Sequence, residues 1–221
     1  MSMSLVIDEV YLPATLTAPP MTDGEFVEFC GQFPDYFIEM SAEGDILIMA
    51  PSDFLTSAQI GEIFLQLSLW SRANRRGWVT ESSGGFVLPN GARRAPDVAW
   101  FPADRPGIPD RKRSPRFPHF APDFIVELRS PGDRLSRVRT KMREWVDNGA
   151  QLAWLVDPER RVVEIYRPGR EPETFVNVES VIGEGPVEGF VLDLRPVWDP
   201  AGPSQPGKLN LAADERSVNA K

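Results

Sequence analysis

A chain of 221 residues with 42% hydrophobic and 25% charged side chains is long enough for one globular domain with a substantial core, but not for two. One cysteine, Cys30, and one histidine, His119, exclude an intrachain disulfide and any cysteine- or histidine-based zinc site. The net charge of −8 argues at first against a polyanionic partner.

In chain order, residues 1–20 lack a periodic pattern and read as an irregular segment. Thr22-Asp23-Gly24-Glu25 has the form of a capping box, which predicts a short helix to about Gly31. The apolar runs 36–40 and 45–49 flank Ala42-Glu43-Gly44 and read as a β-hairpin. Ile60, Ile63, Phe64, Leu67 and Trp70 recur at helical spacing, which predicts a helix over about 56–75 ended by Gly77. Strands are expected at 78–81, 85–88 and 97–101, with a turn at Asn90-Gly91. Residues 102–120 form a loop rich in proline and arginine, and it contains His119. The most apolar run, 124–128, is expected at the sheet centre. Leu135, Val138, Met142, Trp145 and Val146 stripe a helix over about 133–148, stopped at Asn148-Gly149. Strands 152–156 and 162–166 follow, around the turn at 157–160. The composition after about residue 200 predicts a disordered tail.

The expected fold class is therefore α/β or α+β: a mixed central sheet flanked by helices and preceded by an N-terminal helix and a β-hairpin. The expected organisation is an irregular segment over 1–20, one domain over 21–200 and a tail over 201–221. No apolar run is long enough for a membrane helix, and residues 1–10 carry no basic side chain for a signal peptide. The expected location is cytoplasmic.

Charge is unevenly distributed. Residues 1–55 hold ten acids and no lysine or arginine, whereas residues 56–170 hold thirteen acids and twenty bases. A basic middle between acidic ends is compatible with a polyanion-binding face, or with solvated surface charge alone. Arg111-Lys112-Arg113 and the helix arginines 134, 137 and 139 are candidates to follow a phosphate backbone.

Two carboxylates stand out. Asp97 follows Pro96 at a strand start, and Glu127 lies at the end of the expected central strand. Carboxylates at adjacent strand ends can converge on one hard cation such as Mg²⁺, with Mn²⁺ as substitute. They can equally pair with nearby arginines. Strand alternation puts Arg129 on the face of Glu127. Ser130 and Asp133 stand where the following helix begins and are expected to cap it.

The stretch Ala95-Pro96-Asp97-Val98-Ala99 resembles the first motif of the PD-(D/E)XK nucleases, and Pro122 to Asp133 resembles the second. With Lys141-Met142-Arg143-Glu144-Trp145, Gly149, residues 154–158 and residues 163–168, the series is similar to the Uma-two family of endonucleases over roughly residues 20–195. The resemblance implies a restriction endonuclease-like fold, with Asp97 and Glu127 as metal ligands. It also implies an acidic residue on the first core helix, here Glu62. It implies a Mg²⁺-dependent endodeoxyribonuclease acting on DNA, in a class that often works as a homodimer. The pattern asks for lysine where Arg129 stands. Either Arg129 substitutes electrostatically, or the role has moved to Lys141, whose place beside the apolar stripe favours it. The alternative function is a catalytically inactive nucleic-acid- or protein-binding member of the same fold, which Arg129 favours. An enzyme acting on another phosphorylated substrate is a further possibility.

Overall fold

The computed structural model describes residues 12–19, 21–74, 77–108 and 117–201. The Arg111-Lys112-Arg113 run and the expected tail from residue 202 lie outside the described residues.

The first layer is small. Strand β1 (Ala14–Leu16) precedes helix α1 (Asp23–Gln32), and strands β2 (Phe37–Met40) and β3 (Ile46–Met49) form the hairpin. The capping box is formed: Thr22 Oγ1 accepts from the Glu25 amide at 3.3 Å, and the Glu25 carboxylate accepts from the Thr22 amide at 2.8 Å. Gly44, at φ 93°, takes the left-handed conformation that the hairpin turn requires. Phe26 and Phe29 of α1 pack on Met40, Ile46 and Ile48. Residues 14–16 are not irregular as expected, because β1 hydrogen-bonds to the otherwise open edge of β3.

Helix α2 (Phe54–Asn74) leads to the main sheet. Strand β4 (Gly77–Glu81) is followed by the two-residue strands β5 (Phe86–Val87) and β6 (Arg93–Arg94), then by β7 (Val98–Pro102) and β8 (Phe124–Leu128). After helix α3 (Leu135–Asp147) come β9 (Leu152–Asp157), β10 (Val162–Tyr166) and β11 (Glu173–Val176). The main sheet has six strands in the order β11-β10-β9-β8-β7-β4. β8 is interior, antiparallel to β7 and parallel to β9, so the sheet is mixed. β5 and β6 join the hairpin layer instead, giving a five-stranded sheet in the order β1-β3-β2-β6-β5. Gly77 begins β4 rather than capping α2: a Cβ there would collide with the Phe101 carbonyl and the Trp100 indole.

Alternation along β8 divides the core. Phe124, Val126 and Leu128 face α2, packing with Ile60, Ile63 and Leu67. Ile125 faces α3, packing with Met142 and Trp145. The chain after β11 had given no sequence signal. It forms β12 (Ser180–Ile182), β13 (Val191–Asp193) and the short helix α4 (Arg195–Trp198). Phe190, Leu192, Leu194 and Val197 complete the α2-side core, with Phe190 stacked on Trp154 at 5.9 Å between ring centroids. Among the described residues, no helix is long and apolar enough to cross a membrane.

Candidate active site

The register of β7 on β8 pairs Val98 with Val126. One step further along this antiparallel ladder, Asp97 stands opposite Glu127, and directly opposed side chains share a face. Asp97 Oδ2 accepts from the Leu128 amide at 2.7 Å, which ties the first carboxylate to the end of the strand that carries the second. Glu127 points towards α3, where Oε1 accepts from the Trp145 indole N–H at 2.8 Å.

Lys141 completes the cluster. One turn of α3 before Trp145, its Nζ lies 2.9 Å from Glu127 Oε1 and donates to the Ala95 carbonyl at 3.1 Å. The same ammonium lies 2.9 Å from Glu39 Oε1 on β2. Glu39, only 2% exposed, also pairs with Arg94 at 3.1 Å and accepts from the Ala95 amide. Arg94 in turn holds Glu144 at 2.6 Å. Glu39 escaped the sequence reading. Its signal was a lone carboxylate inside the apolar run Tyr36-Phe37-Ile38-Glu39-Met40, a residue that needs a buried cation.

Burial raises the Glu127 carboxyl to about 8, with Lys141 opposing the rise and Asp97 adding to it. Burial likewise raises Asp97 to about 6, against Lys141 and the Leu128 amide. Burial works against the Lys141 ammonium, but Glu127, Glu39 and Asp97 outweigh it and hold its pKa above the ordinary value. Glu39 sits below its ordinary value despite burial, because Lys141 and Arg94 favour its charge. Asp97 and Glu127 are thus two oxygen donors whose charge one lysine does not fully offset, and that donor set suits a hard divalent cation. Among the described residues no group of three or more Asp, Glu, His or Cys side chains could hold an ion. The protein side chains would supply two ligands, leaving the rest to water and a substrate oxygen, as is common for Mg²⁺.

Arg129 is on the expected face but turns the other way. Its guanidinium lies 2.8 Å from buried Asp157 on β9 and 3.6 Å from Glu159 in the turn that follows, on the side of β8 opposite β7 and Asp97. Glu62 is not brought to the cluster either: it accepts from Gln66 at 2.9 Å, and Gln66 also bonds the backbone at Asp193. Of the helix arginines, Arg139 is held by Glu164, whereas Arg137 lines the cleft. Arg134 caps α3 with its backbone alone, and Asp133 instead accepts from the Ser130 amide at 3.0 Å, closing the preceding turn. Exposed His119 pairs with Asp23 at 2.7 Å rather than with Asp97 or Glu127.

The fold is that of a nuclease-type domain, as comparison with known proteins shows. The model of the Uma2 family, described as "Putative restriction endonuclease", matches residues 23–195, so the chain belongs to that family. A crystal structure described as "a putative nuclease belonging to DUF820", from Anabaena variabilis, superposes with a TM-score of 0.67 at 21% identity, covering 81% of this chain and 98% of the other. At that identity the likeness establishes a shared fold. No curated protein matches the chain.

Proposed function

We propose that the protein is a Mg²⁺-dependent endonuclease that hydrolyses DNA phosphodiester bonds at the cleft between the hairpin layer and the main sheet. The observation that carries this reading is the convergence of Lys141 on Glu127 at 2.9 Å, opposite Asp97. It assembles two carboxylates and an ammonium from three separate elements. Asp97 and Glu127 would hold the cation, which when bound polarises a phosphoryl oxygen and lowers the pKa of an attacking water. The Leu128 amide and the Trp145 indole each occupy one carboxylate oxygen and so fix the orientation of the pair. Lys141 presents fixed positive charge where negative charge develops on the phosphate, and Glu39 holds it there. The role that the motif assigns to the position of Arg129 falls to Lys141, which reaches the same place from α3.

The test is cleavage of plasmid and oligonucleotide DNA by the full chain with Mg²⁺ or Mn²⁺, with and without EDTA, beside Asp97→Asn. Metal-dependent cleavage lost in the variant supports the reading. Cleavage that survives EDTA or the substitution, or no cleavage under any condition, contradicts it. In the last case a non-catalytic binder of nucleic acid or protein becomes the better description.

A further inference from the structure

The cleft beside the carboxylates is a cavity of about 740 Å³, the size of a small-ligand pocket rather than a duplex groove. Its wall opposite the main sheet is the outer face of the hairpin. The register pairs Phe37 with Met49 and Glu39 with Leu47. Alternation therefore puts these four on one face, while Ile46 and Ile48 turn into the α1 core. Glu39 is taken up by Lys141 and Arg94. Phe37, Leu47 and Met49 are left as a partly exposed apolar platform that lines the cleft.

Charge narrows the occupant. Acidic residues outnumber basic ones among the described residues that line the cleft. A duplex presents a phosphate charge about every 1.7 Å of axis and needs an extended basic face to offset it. Among the described residues the cleft cations are Arg94, Lys141 and Arg137. The first two are committed to carboxylates, whereas Arg137, exposed on the first turns of α3, makes no ion pair among the described residues. One guanidinium and one apolar platform match one phosphate and one unstacked base.

We infer that the cleft accepts a nucleotide of single-stranded DNA, its base against Phe37 and its phosphate against Arg137. The inference rests on the nuclease reading for its substrate class, but not on catalysis. Stacking of a base on an aromatic ring tolerates any sequence, because every base has a π-face. The site therefore selects strand state rather than sequence.

The experiment is fluorescence anisotropy with a labelled mixed-sequence oligodeoxynucleotide, single-stranded or annealed to its complement, in EDTA buffer with the full chain. The wild type binds the single strand at least about tenfold more tightly. Phe37→Ala weakens single-strand binding about fivefold or more, and Phe37→Trp, which keeps an aromatic face, retains it. Arg137→Gln reduces the salt dependence by about one phosphate contact. Duplex binding as tight as single-strand binding, no binding of either form, or single-strand binding indifferent to Phe37→Ala, overturns the inference. Cleavage in Mn²⁺ separates the two readings. A single strand that is bound but not cut sinks hydrolysis and leaves this inference standing. Duplex cut faster than single strand sinks this inference and leaves hydrolysis standing.

Discussion

Lys141 Nζ lies 2.9 Å from Glu39 Oε1, an ion pair that ties helix α3 of the main sheet to the hairpin layer across the cleft. Because the same ammonium also meets Glu127, one side chain both positions the two layers and supplies the cluster's positive charge. Lys141→Met should therefore have two effects. Single-turnover cleavage should fall on the order of 100-fold, through loss of charge stabilisation. Stability should fall by about 1–3 kcal/mol, because buried Glu127 loses its cationic partner while Glu39 keeps Arg94. Mn²⁺ affinity should be retained. A cleavage rate within about threefold of wild type, in a variant shown to be folded, would remove Lys141 from the mechanism.

Arg129 should behave in the opposite way. Its partners are Asp157 and Glu159, not the carboxylate pair. Arg129→Met should cost about 1–3 kcal/mol in a denaturant melt, because buried Asp157 loses its charged donor. Cleavage by the folded fraction should be nearly unchanged. A large rate loss without loss of stability would return the catalytic role to Arg129.

Glu62→Gln should be almost silent, within about 0.5 kcal/mol in stability and with an unchanged cleavage rate. The residue bonds Gln66 on its own helix and does not line the cleft. Loss of activity in this variant would show that α2 contributes to the site after all.

These contrasts also show what the sequence could reveal. Helix α3 was legible because its apolar stripe is regular, and the adjacency of β7 and β8 because both had to bring a carboxylate to one end. Alternation placed Arg129 on the face of Glu127. It could not say which neighbour the guanidinium would reach, and Asp157 on β9 holds it. Glu39 was not legible as a partner of Lys141, since nothing local links residues so far apart in sequence. The segment after β11 lacks strong periodicity because its elements are three or four residues long, yet Leu192, Leu194 and Val197 are fully buried. Core membership there comes from docking on α2, not from local propensity.

The carboxylate pair predicts a pH dependence of stability. Burial raises Glu127 from an ordinary 4.5 to about 8 and Asp97 from 3.8 to about 6. The folded state then binds their protons more tightly than the unfolded state does. Their contribution to stability is fully present below the ordinary values and is lost as pH rises through about 6 and then about 8. Subtracting the melting profile of Glu127→Gln isolates the Glu127 part of this contribution from that of other groups. Between about pH 5 and about pH 9 the wild type should lose Tm relative to the variant, and Mg²⁺ should restore part of the loss at the alkaline end. A pH-independent difference would mean that Glu127 is not held protonated by the fold.

Whether Asp97 and Glu127 act together as a cation site is tested most directly by calorimetric titration of the full chain with Mn²⁺. The wild type should bind a single Mn²⁺, with protons released near neutral pH as the cation displaces them from the raised carboxyls. Asp97→Asn and Glu127→Gln should each abolish the binding heat while keeping a cooperative melt. Absence of Mn²⁺ binding by the wild type, or undiminished affinity in either variant, would contradict the assignment of the pair as the metal site.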